Sequence, residues 1–280
     1  MFSRSLIIAL LAAASLLPGS AVAQCGIRNT AFQVGEELNY QLYYNWKFIW
    51  VKAGTAQMKI ISTTYGGQEA YKCHLITRGN HRTDRYFMMR DTLESYVRPD
   101  CTPLYYRKGA LEGKRYNVDE VRYSYPGDGK VVLSQRYRNH RGEVSTRSYE
   151  SSVCLFDMLS MLLRARSFDA SQYNTGQVIK FHMCDGDEVT QSQIVYKGKK
   201  TFTMEDSDMK YKCLVFTFVE VEGGKQKDIV TFYVTDDLNH LPVRLDLNLK
   251  FGTAKAFLTS YKGLRNRQTA IIGDNQLVGE

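Results

Sequence analysis

Apolar and polar side chains alternate along most of this chain, and a period of two admits little besides a half-buried antiparallel sheet. The clearest stretch is Leu245-Asp246-Leu247-Asn248-Leu249-Lys250-Phe251, which puts the leucines and Phe251 on one face. Tyr40, Leu42, Tyr44 and Trp46 repeat the pattern near the start, with Gln41 and Asn45 opposite. Turn residues then mark hairpins, because glycine reaches the positive φ that tight hairpin turns require. Gly66-Gly67 separates Ala56–Thr63 from Glu69–Thr77, and Asp185-Gly186 separates Val178–Met183 from Val189–Tyr196. Gly223-Gly224 separates Cys213–Val221 from Ile229–Val234, and Pro126-Gly127-Asp128-Gly129 joins Val121–Tyr125 to Lys130–Arg136. Nineteen tyrosines and thirteen phenylalanines suit pleated surfaces. The expectation is an all-β fold: a strongly curved antiparallel meander or incomplete barrel of ten or more strands.

One segment breaks the alternation. Ser151-Ser152 reads as the cap of a helix over 153–166. Its polar positions Asp157, Ser160 and Arg164 form one stripe, while the rest of Val153–Leu163 is apolar. A helix apolar around most of its circumference must be buried around most of it, so it should fill the concavity of the sheet. Asp157, Ser160 and Arg164 then read either as a stripe paired with charges on the sheet or as ligand-binding residues at a cavity mouth. These three are the candidate site residues.

Residues 1–23 read as a secretory leader: Arg4, an apolar run from Leu6 to Leu17, Pro18-Gly19-Ser20, and Ala21-Val22-Ala23 as the cleavage motif. The run is shorter than the roughly 20 apolar residues that cross a bilayer. Cleavage after Ala23 predicts a periplasmic or otherwise exported protein with no transmembrane span in the mature chain. Gln24 before Cys25 departs from the small residue that lipidation wants, which favours release over anchoring. No linker or repeat divides the remainder, so 24–264 reads as a single domain and 265–280 as a frayed tail.

Six cysteines in an exported chain permit up to three disulfides. One or two are expected, with the pairing open, and Cys154 reads as a buried thiol. The net charge of +8 admits nucleic acid, an anionic membrane or acidic glycans as partners. The simpler reading is a solubilising surface with basic runs at turns and edges. Export removes the nucleic-acid reading of the run from His81 to Arg90.

No catalytic signature is present: no G-x-S-x-G, no H-E-x-x-H and no dinucleotide glycine pattern. Gly109–Arg115 is one residue short of a phosphate loop and puts Arg115 where a magnesium-binding hydroxyl belongs. No catalytic residue, metal ligand or cofactor is therefore assigned. His182, Cys184, Asp185, Asp187 and Glu188 form the densest polar cluster, which reads as a solvated hairpin tip before it reads as a metal or acid–base site.

The two ends of the chain carry a resemblance. Phe32-Gln33-Val34-Gly35-Glu36-Glu37-Leu38-Asn39-Tyr40 and Phe48-Ile49-Trp50-Val51-Lys52-Ala53-Gly54-Thr55-Ala56 lie near the start. Asp237-Leu238-Asn239-His240-Leu241-Pro242-Val243-Arg244-Leu245 and Phe251-Gly252-Thr253-Ala254-Lys255-Ala256 lie near the end. With the central Phe156-Asp157-Met158-Leu159-Ser160, the chain resembles the domain-of-unknown-function 3108 family of exported Gram-negative bacterial proteins. The resemblance implies a periplasmic all-β domain and supplies no catalytic residue. In these motifs Gly35 and Gly54 read as bends or close strand approaches, Pro242 as a strand start, and Glu36 as the partner of a basic group.

Three functional readings follow, the first two of equal standing. The first is a non-catalytic envelope protein that binds or carries a hydrophobic ligand such as lipid inside the curved sheet. The second is a structural or interaction protein of the envelope. A hydrolase acting on envelope polymers comes last.

Overall fold

The computed structural model describes residues 25–46, 49–86, 88–185, 188–204, 209–222, 225–249 and 252–272. The proposed leader lies outside the described residues. The first half runs β1 (Glu37–Trp46), β2 (Ile49–Tyr65), β3 (Gln68–Gly79), α1 (His81–Asp84), β4 (Met89–Val97), β5 (Pro103–Glu112), β6 (Arg115–Gly127), β7 (Lys130–Arg138) and β8 (Val144–Ser151). The second half runs β9 (Leu155–Phe156), α2 (Met158–Ala165), β10 (Val178–Asp185), β11 (Glu188–Thr203), β12 (Lys210–Glu222), β13 (Lys225–Thr235), β14 (Pro242–Asn248), β15 (Thr253–Lys262) and β16 (Ile271–Ile272).

Fifteen strands form one nearly closed, barrel-like sheet in the order β8-β7-β6-β5-β4-β3-β2-β1-β15-β14-β13-β12-β11-β10-β9. The pairing of β1 with β15 joins the first strand to the last long one and turns two meanders into one sheet. Both edges, β8 and β9, flank the short link that carries the chain into α2. Expected hairpins form where glycine supplies the turn. Gly66 and Gly67 take φ of 58° and 78°, and Asp128 and Gly129 take 52° and 72°, the paired positive values of a two-residue hairpin loop. The Gly109–Arg115 segment is the β5–β6 hairpin, which bears out its rejection as a phosphate loop. A Cβ on Gly54 would lie 2.1 Å from the Arg78 carbonyl oxygen, the close approach expected of that glycine.

The helix is shorter than its apolar run. Leu155 and Phe156 leave helical geometry to pair in parallel with His182 and Met183 of β10, and α2 starts only after Asp157. Ser151 ends β8 instead of capping the helix. Cys154, expected as a free thiol, is bonded to Cys25. That disulfide ties the entry to α2 to the first described residue. Cys73, Cys101, Cys184 and Cys213 remain free and buried.

The tail is likewise more ordered than expected as far as Ile272. Ala270 is 1% exposed, and Ile271 and Ile272 pair with Tyr211 and Lys210 of β12. Asn266 exchanges hydrogen bonds with Asn239, giving its N–H to Oδ1 at 2.9 Å and accepting from Nδ2 at 3.0 Å. Its own Nδ2 donates to the Thr30 carbonyl at 2.9 Å.

Candidate functional site

One end of the barrel is plugged. The loop 25–36, the C-terminal half of α2, the loop 236–241 and the tail 263–272 meet there. Its brace is Arg166, whose guanidinium grips both oxygens of Glu36 at 2.5 and 2.9 Å and donates to the Asn239 carbonyl at 3.2 and 3.0 Å. Both side chains are shut from solvent, at 1% and 0% exposure. This is the basic partner expected for Glu36. An open cleft of about 580 Å³ runs beside this plug, lined by Ile27, Arg28, Tyr71, Asp100 and Arg265 among others.

The candidate residues of α2 belong to that architecture. Asp157 caps the helix by accepting the Ser160 N–H at 2.8 Å, and the Ser160 hydroxyl accepts the Asp157 N–H at 3.0 Å. Its other carboxylate oxygen accepts from Ser95 of β4 and Tyr123 of β6, each at 3.2 Å. Tyr123 also meets Cys184 of β10 at 2.9 Å, so this cluster bridges strands on either side of the sheet's open seam. Asp157 and Ser160 are both 0% exposed. Burial pushes the Asp157 carboxyl above the usual range, against the lowering effect of its hydrogen bonds from Ser160, Ser95 and Tyr123. Arg164 points elsewhere. It donates to the Cys25 carbonyl at 2.7 Å and lies over the Phe156 ring at 5.1 Å. The three residues therefore do not assemble around a shared space. Among the described residues they also form no ion pair with the sheet; neutral hydroxyls and a carbonyl take that place. Sequence spacing put them on one stripe, and the cap turned Asp157 and Ser160 inward.

The acidic hairpin of β10 and β11 divides similarly. Cys184 turns inward, where burial raises its thiol pKa, while Glu188 is exposed. Gly186 and Asp187 lie outside the described residues. Among the described residues no group of three His, Cys, Asp or Glu side chains converges as a metal site would.

What the strands build instead is an apolar surface. Residues opposed in an antiparallel ladder project to the same face, so the register can be followed across the sheet. Tyr196, Phe216, Phe232, Leu245, Ala256 and Leu42 are successive partners across β11, β12, β13, β14, β15 and β1. A second row, Ile194, Phe218, Val230, Leu247, Ala254 and Tyr44, runs beside it. At the β11 end these rows are covered, since Met161 and Phe168 pack with Ile194, Phe216 and Phe218. Beyond β12 the cover thins: Ala256 is still buried, but Phe232, Val230, Leu245, Leu247, Ala254, Leu42 and Tyr44 are only half-buried. A line from β12 to β1 crosses four strand spacings, about 19 Å at ~4.8 Å each.

The β1–β2, β3–β4, β5–β6, β7–β8, β10–β11, β12–β13 and β14–β15 connections lie at the end of the barrel opposite the plug. β1 leaves Glu37 at the plugged end and reaches the β1–β2 tip at Trp46, and the half-buried rows approach that tip. Sequence reasoning missed this surface because each strand alone reads as ordinary alternation. Register is what joins the faces, and the bulges between Tyr196 and Gly198 and between Phe218 and Val219 shift it in a way that periodicity does not carry.

Comparison with known proteins agrees with this architecture. A crystal structure of a beta-barrel-like protein of domain of unknown function DUF1849, from Brucella abortus, is similar to this chain with a TM-score of 0.51 and 13% identity. The match covers 82% of this chain and 98% of that one, and at that identity it speaks for the fold alone. No curated protein matches. The model of the DUF3108 family, described as protein of unknown function, matches residues 39–259, and the chain belongs to that family.

Proposed function

We propose that this is a non-catalytic exported envelope protein that holds a hydrophobic ligand, such as lipid, against the inner face of its curved sheet. The observation that carries this reading is the pair of apolar rows, which α2 covers at β11 and leaves half-buried from β13 to β1. A sheet face built only for the fold would finish its burial, because exposed apolar area weakens stability and solubility. From β13 to β1 the half-buried rows cross three strand spacings, about 14 Å, comparable to the ~15 Å acyl layer of one leaflet of a bilayer. Export is supported by the leader-like residues 1–23 and by the Cys25–Cys154 disulfide, which suits an oxidising compartment.

Binding of the fluorescent fatty acid cis-parinaric acid tests the reading. The wild-type protein is expected to enhance its emission saturably, and Leu247→Glu, on a half-buried position of the rows, to weaken binding at least about tenfold. Absence of saturable binding by a folded wild-type protein would overturn it.

A second reading, an interaction protein of the envelope, draws on β8. Residues Val144–Glu150 of this edge strand are exposed on both faces, and an uncovered edge is a template for an added strand. Crosslinking in intact cells through a photoreactive residue at Tyr149 should then capture a discrete partner, and no capture would count against it.

A further inference from the structure

One arc of the open rim has a composition of its own, distinct from the β10–β11 and β12–β13 side with its exposed Glu188 and Asp228. Adjacent in the sheet order are the β14–β15 tip, the β1–β2 tip, the β3–β4 connection with α1, and the β5–β6 tip. These four connections are also tied to one another. The Gly113 N–H donates to the Met88 carbonyl at 2.7 Å, and the Thr83 hydroxyl donates to the Ala53 carbonyl at 2.8 Å. Lys255 of β15 sits 4.3 Å from the centre of the Trp50 ring.

Along this rim large apolar side chains stand in solvent: Ile49 at 66%, Trp50 at 37%, Tyr86 at 86%, Met88 at 40% and Leu249 at 46%. Basic residues Lys52, Arg82, Arg85, Lys114 and Arg115 are exposed among them. Of the acidic groups in the same connections, Asp84 is already ion-paired with Arg90, which leaves Glu112 at the β5–β6 tip. Isolated exposed apolar residues need no explanation, but a run of them interleaved with one sign of charge does. Tryptophan, tyrosine and aliphatic side chains beside lysine and arginine are the residues that settle at a membrane–water interface.

We propose that this arc of the rim docks the protein on the surface of an anionic phospholipid bilayer, with Ile49, Trp50, Tyr86, Met88 and Leu249 at the headgroups and the half-buried apolar rows opening toward the acyl layer. The inference deepens the ligand reading and rests on it for what the docked protein exchanges. Aromatic and aliphatic tips supply apolar burial, and the basic residues supply attraction that only a negatively charged leaflet returns.

The chain's two tryptophans, Trp46 and Trp50, both lie in the strands flanking the β1–β2 tip, so intrinsic emission reports on this rim. Purified protein is mixed with vesicles of phosphatidylcholine alone or with added phosphatidylglycerol, and binding is read by co-sedimentation and tryptophan emission. The expected result is co-sedimentation with a blue shift on the anionic vesicles only, weakened by salt. Arg82→Gln with Arg85→Gln, two exposed positions, should lower the partition coefficient by about 30-fold. Trp50→Phe should retain binding and change the emission response. No binding, equal binding to neutral vesicles, or an unchanged Arg82→Gln/Arg85→Gln variant would overturn the proposal. Fatty-acid binding measured without vesicles separates the two readings: its loss in Leu247→Glu, with vesicle docking intact, concerns the ligand surface alone.

Discussion

Removing the Glu36 carboxylate should unfold the plug before it affects anything else. In Glu36→Ala the Arg166 guanidinium keeps its hydrogen bonds to the Asn239 carbonyl but loses its charged partner, in a site 1% exposed. Stripping the partner from a buried charge is destabilising by about 3–5 kcal/mol. Most of that is the unpaired charge and not the lost attraction. With a urea m-value of about 2.5 kcal/mol/M for a domain of this size, the midpoint should fall by about 1–2 M. Glu36→Leu combined with Arg166→Met removes both charges at similar volume and should return to within about 2 kcal/mol of the wild type. Urea unfolding followed by circular dichroism measures all three. A Glu36→Ala midpoint within about 0.3 M of the wild type would refute the assignment of Arg166 as the brace of the plug. A double variant no better than the single one would refute the unpaired-charge argument.

Other perturbations test other parts of the structure. The native protein should resist thiol alkylation, the denatured unreduced protein should take up four labels, and reduction should expose two more; any other stoichiometry by intact mass contradicts the Cys25–Cys154 pairing. Cys25→Ser with Cys154→Ser opens a 129-residue separation and should lower stability by about 2–5 kcal/mol in chemical unfolding. Gly54→Ala places a methyl against the Arg78 carbonyl and should lower stability by about 1–3 kcal/mol; an unchanged melting temperature would show that β2 and β3 do not approach as described. Burial, reinforced by Glu112, pushes the Asp91 carboxyl up to about 6. The folded state therefore favours the protonated form, so its contribution is fully present below the unfolded value near 4 and is lost as pH rises through 6. Asp91→Asn should accordingly gain stability over the wild type between pH 4 and 7, by about 1–2 kcal/mol after solvent screening. A carboxyl titration midpoint near 4 by NMR would contradict this.

The fold was legible in the sequence where local chemistry dictates it. Paired glycines at 66 and 67 and Asp128-Gly129 carry the turn, and alternation in Leu245–Leu249 carries the strand. Glu36 and Pro242 announced a charged partner and a strand start, and Arg166 and β14 supplied them. The helix boundary was misread because two caps compete in one stretch. Ser151-Ser152 precedes the apolar run, but Asp157 and Ser160, spaced as a capping box, govern the backbone. Leu155 and Phe156 are apolar because they complete the sheet edge beside β10. Cys154 could not be assigned from sequence, since its partner lies 129 residues away and proximity comes only from tertiary structure. The apolar rows needed the register of six strands, which depends on long-range pairing such as β1 with β15. No local window contains it.

The half-buried rows from β13 to β1 are the proposed binding surface for a hydrophobic molecule. Native mass spectrometry of protein purified without detergent, followed by organic extraction and identification of what is released, tests this most directly. The expected result is a folded wild-type protein carrying a lipid-sized adduct that Leu247→Glu loses. A folded wild-type protein at its bare mass, with nothing in the extract and no uptake of added fatty acid, would contradict it.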